Sequence, residues 1–207
     1  MILYDYFRSS AAYRVRIALN LKGVAFDRRD IMLLENQQRS PEHLARNPQG
    51  FVPALEADDG TVITQSLAII DWLDARFPAP RLIPADPDAR AAAMARALVI
   101  AADTHPLNNL RVMRQLKAMD VDEAGRNDWT RHWIEEGFAA LEAMAGDGPF
   151  LGGAAPSVAD LFLVPQMYNA RRFETPLAAF PRLVAIDAAA NALPAFAAAH
   201  PDAVAPK

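Results

Sequence analysis

The amino-acid sequence predicts an α+β protein, in which a small domain of mixed strands and helices precedes an all-α domain. Short strand-forming segments alternate with helical patterns up to about residue 80. Beyond that point the chain is rich in alanine and carries almost no strand signal, which indicates a domain of a different class. Prolines, which fix φ and interrupt helices, cluster between the two parts. We therefore predict a first domain over residues 1–80, a proline-rich linker over 81–87 and a helical domain over 88–207.

The first domain opens with a predicted strand at residues 2–4 and a helix behind it. Ser9 and Ser10 stand where this helix should begin, because serine is a preferred N-cap residue. Gly23 is placed to end it, since glycine readily adopts the left-handed conformation of a C-cap. The helix has one apolar stripe, formed by Ala12, Val15, Ala18 and Leu19, with Arg14 and Arg16 outside it.

The later elements of this domain complete a mixed sheet. We predict a second strand at 25–30, a short helix at 41–47, and strands beginning at 52 and 61 on either side of a hairpin turn. A final helix, capped by Ser66, is predicted to bury Ile69, Trp72, Leu73 and Phe77. The resulting βαβαββα order, with parallel and antiparallel neighbours, is that of a thioredoxin-like domain, whose ligand would bind at the start of the first helix.

The second domain is predicted to contain helices only, bounded by prolines. The helical segments run over about residues 88–119, 122–145, 157–173 and 183–200. His105 shares an apolar stripe with Met94, Leu98 and Ala101, and Pro106 is expected to kink the helix there.

Composition excludes several classes of function. The 207 residues include no cysteine, so the chain offers no thiolate nucleophile, disulfide or iron–sulfur ligand, and any sulfur chemistry must come from a bound cofactor. A net charge of −4 indicates neither a nucleic-acid nor a membrane partner. The histidines have no metal-ligand spacing, so no metal site is predicted. With no long apolar segment and no leader pattern, we expect a cytoplasmic protein.

Three short sequence motifs fit this two-domain organisation. They are Asn47–Leu55, with the sequence NPQGFVPAL; the pair Gln65-Ser66; and Pro156–Asp160, with the sequence PSVAD. The last has the pattern of a helix capping box, in which Ser157 and Asp160 satisfy each other's free backbone amides. Together these segments resemble the glutathione transferase superfamily.

Further segments resemble the zeta class of that superfamily, over essentially the whole chain. Residues 9–19 read SSAAYRVRIAL, residues 105–111 read HPLNNLR, residues 163–166 read LVPQ and residues 169–173 read NARRF. The chain departs from the class pattern at Ala11, where members often have cysteine. The absence of that cysteine bears more on thiol-dependent side reactions than on isomerisation.

The resemblance implies a glutathione site in the first domain. It assigns the glutathione sulfur to Ser9 and Ser10, with Ser9 as the leading partner, at a helix N-terminus that stabilises a thiolate. It assigns the cysteinyl part of glutathione to the backbone at Val52, beside Pro53, which is usually cis in the family. Further glutathione contacts are assigned to Gln65, Ser66, His105 and Asn109.

The resemblance also implies a reaction. Zeta-class enzymes isomerise maleylacetoacetate, from tyrosine breakdown, or maleylpyruvate, from gentisate breakdown. We expect a glutathione-dependent cis-trans isomerase that forms fumarylacetoacetate by reversible thiolate addition. Arg8, next to the catalytic serines, and Arg172 are expected to bind the carboxylates of the dicarboxylate substrate, with Arg171 as a nearby alternative. The family is usually homodimeric, and we expect a homodimer here.

Three alternatives stay open at this point. Maleylpyruvate is a near rival as the substrate, because the residues above do not separate the two compounds. A general glutathione transferase is disfavoured by the arginine pair, which does not suit an apolar pocket for the second substrate. A binding module without chemistry is disfavoured by the presence of Ser9, Ser10, Gln65 and Ser66.

Overall fold

The computed structural model describes residues 1–206, which form two compact units. The first unit contains residues 1–82 together with 192–206, and the second contains 83–191. Residues 192–206 thus group with the first unit, whereas the sequence pattern assigned them to the helical domain. The reason is that this segment packs on the first helix, where the Asn20 amide donates to the Ala195 carbonyl at 3.0 Å.

The first unit has the predicted βαβαββα order. Its strands are β1 (Ile2–Asp5), β2 (Asp27–Asp30), β3 (Ala54–Glu56) and β4 (Val62–Thr64). Its helices are α1 (Ser10–Lys22), α2 (Pro41–Arg46), α3 (Ser66–Arg76), and the C-terminal α10 (Pro194–Ala199) and α11 (Pro201–Val204), with short 3₁₀ turns at Leu33–Glu35 and Gln37–Arg39. The sheet order is β2-β1-β3-β4, with β1 parallel to β2 and the other pairs antiparallel. This is a thioredoxin-like sheet.

Helix α1 is buried on almost every side rather than along one stripe. The predicted stripe is fully buried, and Gly23 ends the helix with φ 63°. Arg14 and Arg16, which lie outside the stripe, are only 2% and 1% exposed. Ile69 and Leu73 of α3 are buried as predicted, while Trp72 and the C-cap residue Phe77 are half-buried. The first unit therefore buries two arginines that the apolar pattern alone placed outside the core.

The second unit contains only helices as regular elements, but its first helical segment is interrupted. The helices are α4 (Pro87–Leu98), α5 (His105–Leu107), α6 (Leu110–Ala118), α7 (Glu123–Met144), α8 (Val158–Arg172) and α9 (Pro181–Asn191), with a π-helical turn at Val99–Thr104. The predicted stripe that includes Leu98 is wrong, because Leu98 is 40% exposed. The buried face is instead formed by Ala93, Ala97, Ile100 and Thr104. Alanines make up half of this buried face, so the positions of the larger apolar residues do not reveal which side of the helix is buried. Within residues 1–206, no helix is both long and apolar enough to cross a membrane.

The capping box at the start of α8 is present. Asp160 accepts from the backbone N–H of Ser157 at 2.8 Å and from its hydroxyl at 3.0 Å, and it also accepts from the N–H of Leu151 at 2.6 Å. The carboxylate is fully buried, and burial raises the pKa of Asp160 despite these donors. The prediction of a capping box is confirmed, with an added link to residue 151 that spacing alone does not reveal.

Removing this carboxylate is expected to destabilise the protein. Asp160→Ala leaves two buried backbone N–H groups without an acceptor, so we expect the free energy of unfolding to fall by about 2–4 kcal/mol. Urea unfolding followed by circular dichroism measures this change. Asp202→Ala, at an exposed position, is the control, and we expect its effect to stay within about 0.5 kcal/mol. Equal stability of the two variants would contradict the prediction.

Candidate active site

Three of the predicted site segments meet at one edge of the sheet. Tyr4 of β1 lies opposite Ala54 of β3, which in turn lies opposite Thr64 of β4. The chain therefore leaves β1, enters β3 and leaves β4 at this same edge. Ser9 follows the end of β1, Val52-Pro53 precedes β3 and Gln65-Ser66 follows β4. The structure thus brings these segments of the first unit together, as expected for a ligand site at the start of α1.

Ser9 is the N-cap of α1, as predicted. Its φ and ψ are −70° and 115°, and its hydroxyl oxygen accepts from the backbone N–H of Ala12 at 3.2 Å. The hydroxyl proton remains available for donation to a ligand. The first-turn N–H groups of Ser10 and Ala11 have no acceptor within an α-helix, and no acidic residue lies in this turn. The start of α1 is therefore suited to hold an anion.

A buried ion pair fixes the loop between β1 and Ser9. The Arg16 guanidinium donates to both carboxylate oxygens of Asp5 at 2.8 Å, to the Phe7 carbonyl at 3.0 Å and to the Ala199 carbonyl at 2.9 Å. Arg28 donates to the same carboxylate at 2.9 Å. Burial lowers the pKa of Arg16, and the attraction of Asp5 opposes that effect. Sequence reasoning missed this supporting network, because it read Arg16 only as a residue outside the apolar stripe.

Side chains from the preceding segment fix the backbone next to Val52. The His43 Nε2 atom lies 2.8 Å from the Phe51 carbonyl oxygen, and the Asn47 amide donates to the same oxygen at 2.9 Å. The Val52–Pro53 peptide bond is cis, as the resemblance implies. These contacts fix the position of the main chain just before β3.

Gln65 and Ser66 differ from the predicted capping arrangement. Gln65, not Ser66, occupies the N-cap of α3; it has φ 69° and makes no capping hydrogen bond with its side chain. Its amide instead donates to the Gln49 side-chain oxygen at 2.6 Å. Ser66 is the first residue of the helix, and its hydroxyl oxygen accepts from Arg14 Nη1 at 3.2 Å. Ser66 therefore presents a hydroxyl at the start of α3, where no acidic residue lies in the first turn.

Arg8 lies directly before the capping serine and is half-buried. Its guanidinium carbon is 4.9 Å from the centre of the Phe7 ring. Its Nε atom is buried, and among residues 1–206 it has no hydrogen-bond partner. A buried donor of this kind favours an external acceptor, which fits the predicted role in carboxylate binding.

The other predicted site residues belong to the second unit. His105 is the first residue of α5 and is half-buried. Asn109 caps α6, with its side-chain oxygen accepting from the N–H of Arg111 at 3.1 Å. Arg172 ends α8, is exposed, and places its guanidinium carbon 5.0 Å from the centre of the Phe173 ring.

Arg171, the alternative to Arg172, has a structural partner. Its guanidinium lies 2.7 Å from a carboxylate oxygen of Asp187, which is only 4% exposed. This ion pair joins α8 to α9. Among the residues described, 1–206, no group of three or more histidine, aspartate and glutamate side chains is placed to hold a metal ion.

Known proteins are similar to this chain over nearly its whole length. Residues 3–81 match the model described as glutathione S-transferase, N-terminal domain, and residues 123–198 match the model of the C-terminal domain. The chain is 49% identical to a maleylacetoacetate isomerase of Rhizobium meliloti, over 99% of this chain and 98% of that protein.

Solved structures agree with these matches. One is the holo structure of a maleylpyruvate isomerase, a bacterial zeta-class glutathione S-transferase, with a TM-score of 0.96, 41% identity and 99% of each chain covered. Another is a maleylacetoacetate isomerase from Anaeromyxobacter dehalogenans, solved with bound dicarboxyethyl glutathione and citrate. Its TM-score is 0.89, with 44% identity over 99% of this chain and 97% of that one.

Proposed function

Because this chain belongs to the glutathione S-transferase family, we propose that it is a glutathione-dependent cis-trans isomerase that converts maleylacetoacetate to fumarylacetoacetate. The observation that carries the proposal is the start of α1, where the Ser9 hydroxyl and free backbone amides meet the Val52 and Ser66 segments at one sheet edge. The relative with 49% identity is named for this activity. The glutathione adduct bound to the Anaeromyxobacter enzyme carries the two carboxylates expected of such a substrate.

The residues of the first unit fit glutathione, which has a thiol and two carboxylates. Ser9 and the first amides of α1 hold the sulfur as a thiolate, since donors and the helix dipole lower the pKa of a thiol placed there. Val52 pairs with the cysteinyl backbone, next to Pro53. Gln65 and Ser66, at the start of α3, hold the γ-glutamyl end.

Ser10 and two residues of the second unit complete the proposed glutathione contacts. Ser10 contributes its backbone N–H, which is one of the first-turn amides that an α-helix leaves without an internal acceptor. His105 and Asn109 follow the π-helical turn and supply an imidazole and an amide. An imidazole and an amide both form hydrogen bonds that suit the peptide groups of the tripeptide.

The chemistry requires a nucleophile that weakens the double bond. When bound, glutathione would supply a thiolate that adds reversibly to the double-bond carbon β to the ketone, which leaves a single bond about which rotation can occur. Ser9 keeps the sulfur ionised and aimed, and the amides of α1 add charge stabilisation. Arg8 and Arg172 bind the substrate carboxylates, and a guanidinium offsets the negative charge that develops on the ketone oxygen.

Loss of Arg172 is expected to weaken substrate binding. A hydrogen bond to a charged group is worth about 1.5–3 kcal/mol, so Arg172→Met should raise KM for maleylacetoacetate by about 10–100-fold. KM for glutathione should change little, because Arg172 is not among the residues proposed to contact it. Arg171→Met is the matched control: it removes the Asp187 ion pair and should lower stability but leave KM unchanged. A larger KM effect from Arg171→Met would transfer the role to Arg171.

Maleylpyruvate is the second candidate substrate, favoured by the structure with a TM-score of 0.96. We favour maleylacetoacetate because the relative with 49% identity is named for it. Loss of absorbance from each compound, with and without glutathione, tests the proposal. We expect turnover only with glutathione and a higher kcat/KM for maleylacetoacetate; a higher value for maleylpyruvate would reverse the choice.

Two broader expectations complete the proposal. The enzyme is a homodimer that acts in the cytoplasm. Sedimentation velocity tests the first expectation, and fractionation of the source cells with assay of the isomerase tests the second.

A further inference from the structure

Arg14 is a buried cation that contacts the start of α3, and the proposed function gives it no role. It lies in the middle of α1, and only 2% of the residue is exposed. Its Nη1 atom donates to the Ser66 hydroxyl oxygen at 3.2 Å. Burial lowers the pKa of the Arg14 guanidinium to about 9, so the group is still charged at neutral pH. A positive charge is thus buried beside the positive end of a helix dipole.

This arrangement determines how the Ser66 hydroxyl can bond. A guanidinium has donors and no acceptor, so the Ser66 oxygen must be the acceptor in this contact. The hydroxyl proton is then left for a group on the other side, and that group must be an acceptor. The first-turn N–H groups of α3 and the nearby guanidinium both favour a negatively charged acceptor.

We propose that Arg14 is a positioning residue for the α-carboxylate of the γ-glutamyl end of glutathione, acting through Ser66. The inference rests on the glutathione site proposed above. Arg14 orients the Ser66 hydroxyl toward the carboxylate and adds positive charge to that part of the site.

The far end of the same helix pair offers a matched control. Lys22 Nζ donates to Asp74 of α3 at 2.6 Å, and the lysine side chain is fully buried. Arg14 and Lys22 therefore both join α1 to α3 through a buried cation. Of these two residues, Arg14 is the one that contacts the start of α3. If both roles are purely structural, replacing either residue should affect glutathione binding in the same way. Our proposal predicts that only the replacement of Arg14 changes the preference for glutathione.

The test compares glutathione with 4-aminobutyryl-cysteinylglycine, which keeps the thiol but lacks the glutamyl α-carboxylate. Titration calorimetry gives Kd for both compounds with the wild-type protein, Arg14→Met and Lys22→Met. We expect Arg14→Met to reduce the preference for glutathione by about tenfold, the usual scale for one charge-assisted contact, with little change for the analogue. Lys22→Met should keep the wild-type preference.

Each other outcome has a definite meaning. Equal weakening of both compounds by Arg14→Met, or an unchanged preference, overturns the inference and leaves a structural role. Arg14→Gln keeps a donor for Ser66 and much of the side-chain volume; it should lose part of the preference, and it serves as the test if Arg14→Met does not fold. A wild-type protein that binds neither compound would overturn the proposed glutathione site itself, and a wild-type protein that binds both equally would overturn the inference alone.

Discussion

Replacing Ser9 by alanine is expected to lower kcat for isomerisation by about 100-fold, the usual scale for loss of one donor to a reacting anion. The Ser9 hydroxyl is proposed to donate to the glutathione sulfur while accepting from the N–H of Ala12. Without it, the bound thiol has a higher pKa, and less of it is ionised at neutral pH. The absorbance of the bound thiolate as a function of pH, together with kcat, measures both effects.

Ser10→Ala provides the comparison for Ser9. Ser10 is the first residue of α1, and its backbone N–H survives the substitution, so we expect a change in kcat of less than about tenfold. Ser9→Ala also removes a helix cap, which costs about 1 kcal/mol of stability, so unfolding is measured for both variants. If Ser9→Ala keeps the wild-type kcat and thiol pKa, the helix amides alone stabilise the thiolate.

The second large effect concerns stability. Arg16→Met is expected to lower the free energy of unfolding by about 3–5 kcal/mol, because it removes one partner of a buried ion pair. Asp5 is fully buried, and among residues 1–206 Arg28 is the other cation recorded in an ion pair with it. The carbonyls of Phe7 and Ala199 would also lose their donor. Denaturant unfolding measures this change.

An exposed arginine of strand β2 is the control for this variant. Arg29 lies one position after Arg28 in β2, and Arg29→Met should change stability by no more than about 0.5 kcal/mol. Since Arg16 also holds the loop that leads to Ser9, we expect Arg16→Met to raise KM for glutathione as well. A stable Arg16→Met protein with normal glutathione affinity would show that neither the ion pair nor its loop contacts matter.

The elements of the first unit could be predicted because their signals are local. Serine and glycine mark the ends of α1, and strand residues flanking a hairpin turn mark β3 and β4. The strand order predicted a ligand site at the start of α1, and the resemblance added the Val52 and Gln65-Ser66 segments to it. The capping box of α8 is likewise a local pattern, and the structure contains it.

The rest depends on contacts between distant parts of the chain. Arg14 and Arg16 both lie in α1 outside the predicted apolar stripe, so the local sequence does not distinguish them. The folded structure shows that Arg14 contacts Ser66 and that Arg16 contacts Asp5. The placement of residues 192–206 on the first unit depends on hydrogen bonds across about 180 residues of sequence. The π-helical turn before His105 lies in an alanine-rich segment whose composition favours an ordinary helix.

The proposed glutathione-dependent isomerisation is tested most directly by measuring the amount of free thiol during turnover. The enzyme is mixed with maleylacetoacetate in large excess over glutathione, and substrate loss and free thiol are followed together. We expect complete conversion to fumarylacetoacetate with no loss of thiol, because the thiolate held at Ser9 is returned after each cycle. A reaction that stops when the thiol is used up would contradict it, as would one that proceeds equally fast without glutathione.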